Sequence, residues 1–275
     1  MTLLIAGGRI AGLTLGLPLH QIGVPFHICE SAPELKPMGV GINLQPNAVR
    51  ELLDLGLEKE LDAIGVRTRQ LGFYTKLGKT IWEEPRGMDA GYAWPQYSVH
   101  RGALQMMLCE ALVARAGAEC ISTGARATGF ETTPEGAVLL LDDGRRLEGR
   151  LLIAADGIHS ALRKQMYPNE GEPIWNGRIL WRATTQAPVW SGGGAMVMIG
   201  HNALRMGAYP MSDPGSDGLA TINWIAEKSF DPSAAWKKED WNRAADIEDF
   251  VGDFEDWTFD WIDVPGLIRG ADVVY

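Results

Sequence analysis

Short apolar runs, each closed by glycine or another turn residue, punctuate the chain. Residues 3–6 are uniformly apolar and end in Gly7 and Gly8, after which Ile10, Leu13 and Leu17 recur on one helix face. A second run, Val24 to Cys29, follows Gly23 and is closed by Glu30. This order predicts a strand, helix, strand unit, which requires a parallel sheet. Residues 46–53 read as a helix with Pro46 in its first turn, and Arg101 to Ala116 as a longer helix stopped by Gly117. Between them, Gly72 to Glu83 reads as a hairpin about Leu77 and Gly78.

Residues 125–149 alternate like strands separated by turns at 133–136 and 142–144. Leu151 to Ala155 form a further buried run before Asp156 and Gly157, and a short helix is expected over Ala161 to Met166. From Gly177 the strands lengthen: Arg178 to Thr185, Ala195 to Gly200, Leu204 to Tyr209 and Leu219 to Ala226. These predict an antiparallel sheet whose tryptophan-rich face packs on the first unit. Helical character is expected around Ile247 to Phe254, and a strand over Ala271 to Tyr275.

Composition supports a globular chain with a sizeable core: 275 residues, 46% hydrophobic and 22% charged. No apolar run approaches the roughly 20 residues of a bilayer helix, and the chain enters its first strand at Leu3 without a charged leader. A cytoplasmic protein with no membrane role is expected. The net charge of −10 argues against partners held through nucleic-acid phosphates or anionic lipid. Residues 228–275 carry twelve acids against five bases, so that stretch alone accounts for −7, and eight of the ten tryptophans lie from Trp175 onward. This shift suggests a second domain. Cys29, Cys109 and Cys120 lack metal-type spacing and read as small buried hydrophobes, and the five histidines show no ligand pairing, so no metal site is expected.

Gly7 and Gly12 occupy the first and third glycine positions of a G-x-G-x-x-G dinucleotide fingerprint, with Gly8 between them. Glycine there makes the tight turn and allows backbone amides to approach a pyrophosphate at the helix N-terminus. Glu30, at the end of the next strand, can accept hydrogen bonds from an unphosphorylated ribose, favouring the adenosine diphosphate of FAD or NAD over NADP. Arg9 stands where the middle glycine belongs, so its Cβ takes space from the pyrophosphate and weakened cofactor binding is expected. Pro18 falls inside the following helix, at a cost of roughly 3 kcal/mol in a helix interior.

Downstream segments carry a more specific resemblance. Residues 37–46, with Gly39 and Gly41, resemble the glycine-rich segment beside the flavin ring in class A flavoprotein monooxygenases of the para-hydroxybenzoate hydroxylase type. Residues 95–102 resemble the segment whose arginine, here Arg101, holds the cofactor. Residues 153–163 match that family's Asp-Gly motif at Asp156 and Gly157, associated with flavin and nicotinamide cofactor. Residues 82–87, 180–182, Asn223 with Trp224, and 240–243 look most like the phenazine-carboxylate branch.

The resemblance implies an α/β protein: a Rossmann-like FAD-binding domain with a parallel sheet, interleaved with a mainly antiparallel β-sheet substrate domain. The expected boundaries are 1–72 and 98–172 for the first, and 73–97 and 173–275 for the second. The implied reaction is hydroxylation of a small aromatic substrate with FAD, NADH or NADPH, and dioxygen, through a flavin hydroperoxide. Gly7, Gly8, Arg9, Gly12, Glu30, Gly39, Gly41, Arg101, Asp156 and Gly157 are the expected cofactor contacts, and no catalytic acid or base stands out.

Trp181 and Arg182 would form an aromatic wall and a cation for a substrate carboxylate, against the plainer reading of a core tryptophan and a surface arginine. His100 and His159 read as structural hydrogen-bonding residues rather than proton relays. Family members carry a second flavin segment after the substrate domain, so the sequence reads as C-terminally truncated against that pattern. Three readings stay open: the N-terminal portion of a monooxygenase, a degenerate non-catalytic paralogue binding an aromatic ligand or a partner, and another FAD oxidoreductase of the same fold. Substrate identity, the choice of NADH or NADPH and the oligomeric state are left open.

Overall fold

The computed structural model describes residues 2–231 and 243–275. In chain order its strands and helices are β1 (Leu3–Ala6), α1 (Ile10–Gln21), β2 (Phe26–Cys29), β3 (Gly41–Leu44), α2 (Pro46–Asp54), α3 (Glu58–Ile64), β4 (Gly65–Thr68), β5 (Gln70–Tyr74) and β6 (Thr80–Pro85). There follow β7 (Gln96–His100), α4 (Arg101–Ala116), β8 (Ile121–Ser122), β9 (Ala127–Thr133), β10 (Gly136–Leu141), β11 (Arg146–Gly149), β12 (Leu151–Ala154) and α5 (Ala161–Met166). The last are β13 (Arg178–Pro188), β14 (Ala195–His201), β15 (Leu204–Pro210), β16 (Leu219–Ser229), β17 (Thr258–Phe259), β18 (Ile262–Asp263) and α6 (Val264–Arg269). No helix among the described residues is long and apolar enough to cross a membrane.

The chain forms two compact units. The first comprises Met1–Met38 and Gly102–Ile174, the second Gly39–Arg101 and Trp175–Tyr275. Residues 39–72 therefore group with the antiparallel sheets, because β3 and β4 both pair with β7.

The first unit holds a parallel sheet in the order β12-β1-β2-β8. Leu3–Ala6 runs in register with Leu151–Ala154 on one side and Phe26–Cys29 on the other. Its strands are short and apolar because helices connect them. Helix α1 presses Gly16 close to its neighbours: a Cβ there would lie 2.9 Å from Leu112 and 3.1 Å from Phe26. The helix continues through Pro18 to Gln21. Buried Leu13, Gly16 and Leu17 anchor it, and the one amide proton lost lies near its end. A three-stranded antiparallel sheet, β11-β10-β9, uses both expected turns and shares a core of Leu4, Leu139, Leu141 and Leu162. Cys29 and Cys120 are buried, but Cys109 is only half-buried.

The second unit contains the antiparallel sheet β3-β7-β4 and a six-stranded sheet ordered β13-β16-β15-β14-β5-β6, in which only β14 and β5 run parallel. The expected hairpin at 72–83 forms its β5-β6 edge. The tryptophan-rich face is corrected by the structure: Trp224, Trp190 and Trp257 are buried in this unit's own core with Phe250, Phe254, Val264 and Ile268. Its cover is the chain that follows β16, which brings back enough apolar side chains to fill that face. Trp181 stacks on Phe250 at 4.4 Å, and Trp224 Nε1 donates to Thr185 Oγ1, whose hydroxyl donates to the Leu267 carbonyl.

Two further expectations differ. Instead of a helix, residues 247–254 make two 3₁₀ turns, Ile247–Asp249 and Val251–Phe254. Phe250, Val251 and Phe254 must all face the core, a spacing met by tight turns. Instead of a strand over 271–275, Tyr275 exchanges a pair of backbone hydrogen bonds with Arg182 and the Val274 carbonyl accepts from Ala245 N–H, while the Ala271 and Val274 side chains fill the core. The quoted segment 240–243 lies outside the described residues except for Arg243.

Candidate functional site

In the first unit, the carboxyl ends of three adjacent parallel strands deliver the expected residues to one place. Gly7 follows β1, Glu30 follows β2, and Asp156 and Gly157 follow β12. Open parallel sheets bind ligands at this edge. Gly7 has φ +110°, and a Cβ on it would lie 2.3 Å from the Ala155 carbonyl oxygen. A Cβ on Gly12 would lie 1.9 Å from the Gly7 oxygen. Both glycines are thus required by backbone packing before any ligand is considered.

Gly8 N–H donates to Glu30 Oε2 at 2.7 Å, and Glu30 Oε1 accepts from Ala32 N–H at 2.8 Å and from the Ser31 hydroxyl at 3.1 Å. The Glu30 residue is only 3% exposed. A carboxylate offers about four acceptor directions, so one remains for a ribose hydroxyl. Arg9 is exposed and takes the N-cap position of α1 with φ −89°, a conformation open to any residue. Replacing glycine by Arg9 therefore strains no backbone torsion here. No side chain caps α1 and its first turn holds no acid, so its N-terminal amides and dipole favour an anion. These residues fit an adenosine diphosphate group.

Asp156 is tied to the start of α5. The Ser160 hydroxyl donates to Asp156 Oδ1 at 2.6 Å, and Ser160 Oγ accepts from Arg163 N–H at 2.9 Å as the N-cap. Gly157 has φ +85°, and nothing lies within 4 Å of where its Cβ would be. His159 is exposed beside it.

In the second unit, strand alternation sorts the residues onto two faces. Trp181, Ala183 and Thr185 face the core, so Arg182 and Thr184 face the other way. The register then places Asn223, opposite Thr184, and Tyr209, opposite Asn223, on the same face as Arg182. Trp181 and Arg182 consequently point to opposite sides of β13 and do not converge on one ligand.

Segment 39–43 lies against the Arg182 face. Gly41 N–H donates to Asn223 Oδ1 at 2.6 Å, and a Cβ on Gly41 would lie 2.6 Å from Tyr209 Oη. The Ser98 hydroxyl donates to Asn43 Oδ1 at 2.8 Å and accepts from Thr68 at 2.7 Å. Burial pushes the Tyr209 phenol well above its ordinary pKa, opposed in part by a hydrogen bond with Asn43. Arg101 N–H donates to the Val40 carbonyl at 2.8 Å, and its side chain runs 3.6 Å from where a Gly39 Cβ would be. Burial, then the Arg101 charge, lowers the Arg182 pKa, so two guanidiniums serve the same region. His100, preceding Arg101, is half-buried.

Asn223, Tyr209 and Asn43 were not among the expected site residues. The available signal was a buried carboxamide interrupting the apolar run of β16. A side-chain amide fully excluded from water needs a partner, here the Gly41 backbone.

Comparison with known proteins agrees with this geometry. A family profile described as "FAD binding domain" matches residues 1–249. The chain is 36% identical over 275 residues to phenazine 1,6-dicarboxylic acid hydroxylase PhzS of Lysobacter antibioticus, covering 97% of this chain and 68% of that protein. It is 37% identical to the aurachin C monooxygenase/isomerase of Stigmatella aurantiaca over 66% of this chain, but only 46% of that protein's length. The crystal structure of Klebsiella pneumoniae HpxO complexed with FAD and uric acid superimposes with a TM-score of 0.76 at 21% identity, covering 100% of this chain and 67% of that one, which speaks to the fold alone. With the profile spanning most of the sequence and the glycine turn, acidic strand end and Asp-Gly segment gathered at one sheet edge, the chain belongs to the family of FAD-dependent aromatic-ring monooxygenases.

Proposed function

We propose that this chain binds FAD and hydroxylates a small aromatic carboxylate of the phenazine type, with dioxygen as oxygen donor and NADH or NADPH as reductant. The observation that carries the reading is the convergence of Gly7, Gly8, Gly12, Glu30, Asp156 and Gly157 at the carboxyl edge of the parallel sheet. Glu30 would hold the adenosine ribose, the α1 amides the diphosphate beside Arg9, and Asp156 and Gly157 a further phosphate or ribityl hydroxyl. Gly39 and Gly41 would let the ring approach the backbone, and Arg101 would hold the cofactor. When bound, FAD supplies the redox chemistry and oxygen activation.

The protein's own task is orientation and exclusion of water. Asn223 fixes Gly41 through its backbone amide, and buried, protonated Tyr209 supports the same segment. Arg182 supplies a cation for a substrate carboxylate, while Trp181 is assigned to the core. The cytoplasm, which holds the reduced nicotinamide pool, is the compartment of this reading.

The test is an absorbance titration of the 275-residue chain with FAD, followed by product analysis under labelled dioxygen with an aromatic carboxylate. A perturbed flavin spectrum and label in the product are expected. Arg9→Gly should tighten FAD binding by about tenfold, the equivalent of roughly 1.4 kcal/mol, by freeing space at the turn. Only free flavin, from both the chain and Arg9→Gly, would overturn the assignment. The degenerate-paralogue reading is favoured by Arg9 alone, and flavin-independent ligand binding with no spectral change would select it.

A further inference from the structure

The second unit carries a cleft of about 460 Å³ whose lining shares no residue with the groups assigned to the flavin. It lies at the N-terminus of α2, walled by Arg50, Arg86, Tyr92, Trp94 and Gln96. Its size falls within the range of small-ligand sites. Two cations and no acid line it. Arg50 lies over the Trp94 ring, 5.7 Å from its centroid, and pairs with Glu51. Arg86 pairs with Glu84. Helix α2 has no side-chain cap and no acid in its first turn; Pro46 has no N–H, and the Ala48 and Val49 amides donate to the Gln45 carbonyl, which leaves Asn47 N–H as the amide at this end.

A second, independent observation points to a ligand. Gln96 is 2% exposed, yet its Oε1 has no hydrogen-bond partner. Gly87 packs on the backbone beneath it, where a Cβ would fall 2.6 Å from Gln96 N. Arg86 Nε is likewise buried and unpartnered. Native interiors leave few such atoms without a partner. The cleft thus offers a lone acceptor, two guanidiniums and two aromatic rings.

We propose that this cleft binds a planar aromatic carboxylate bearing a ring hydroxyl or amino group, its carboxylate on Arg50, Arg86 and the Asn47 amide, its ring against Trp94 and Tyr92, and its N–H or O–H on Gln96. Such a compound is of the class of a hydroxylated product, so the cleft serves as a product or effector site. The class of ligand rests on the function proposed above; the existence of a site for an aromatic anion does not.

Isothermal titration calorimetry of the full chain without FAD tests it, using 3-hydroxybenzoate, benzoate and NADH as probes. Tighter binding of 3-hydroxybenzoate than benzoate, by about tenfold, is expected from one buried hydrogen bond. Gln96→Leu should abolish that difference. Arg50→Gln, a substitution at an exposed position that leaves the fold intact, should weaken both acids by about tenfold or more. Equal affinities for the two acids, a difference that survives Gln96→Leu, no binding at millimolar concentration, or Arg50-dependent binding of NADH alone would each overturn the proposal. Because FAD is absent from the measurement, failure here is separate from failure of the flavin titration.

Discussion

Gly41→Ala is the sharpest probe of the segment proposed to flank the flavin. The added Cβ would lie 2.6 Å from Tyr209 Oη and 2.7 Å from both Asn223 Cγ and Tyr209 Cε2, where ordinary contacts begin at 3.4 Å. Something must therefore move by about 0.7–0.8 Å or more, the shortfall from those distances. Neither neighbour can give way: Tyr209 is 3% exposed and Asn223 is fully buried. Overpacking of this kind costs about 1–3 kcal/mol. Displacing Gly41 also strains its bond to Asn223, for about 1 kcal/mol more. At about 2 °C per kcal/mol for a chain of this size, the melting temperature should fall by roughly 4–8 °C. Thermal unfolding followed by near-ultraviolet circular dichroism reads the shift, and a FAD titration should show weakened binding alongside it. Tyr209→Phe removes the nearest atom and should restore part of the loss. Gly39→Ala is the control, since it meets only the flexible Arg101 side chain at 3.6 Å but sits at φ +101°. Its cost is conformational, about 1–2 kcal/mol, and Tyr209→Phe should not relieve it. An unchanged melting temperature for Gly41→Ala, or equal rescue of both variants, would refute the steric argument.

Glu30→Ala should leave the Gly8 and Ala32 amides without their acceptor, destabilising the first unit by about 2–5 kcal/mol in urea unfolding and weakening FAD binding by more than tenfold. Unaltered unfolding would show that water replaces the carboxylate without cost. Burial, reinforced by hydrogen bonds to Glu83 and Asp62, pushes the Tyr74 and Tyr97 phenols up to about 12. Their folded-state values lie above the unfolded value near 10, so the stability they contribute is whole below pH 10 and is lost as pH rises toward 12. Tyrosinate absorbance at alkaline pH should show these groups titrating late and together with unfolding, whereas Tyr97→Phe should flatten the alkaline loss.

Local patterns made most elements legible. The apolar runs ending in Gly7 and Glu30 gave the parallel strands, and proline or glycine marked the limits of α2 and α4. The motifs placed Gly7 and Asp156 at one sheet edge because each follows a strand of that sheet, with Gly12 in the first turn of α1 packed close to the Gly7 carbonyl. Less legible was the run from 247 to 275, where short turns answer a core assembled from distant strands.

The sequence by itself determined the α/β class, the order of most strands and helices up to β16, and the dinucleotide turn, since these depend on side-chain period, glycine conformations and spacing between neighbours in the chain. Only the tertiary structure decided which way side chains face and whom they meet. It turned Trp181 into the core and Arg182 to the opposite face, brought Asn223 onto Gly41 across 182 positions of sequence, and set Glu30 on the Gly8 amide. Those outcomes follow from strand register and from the need of buried polar groups for partners, and both are settled between segments far apart in the chain.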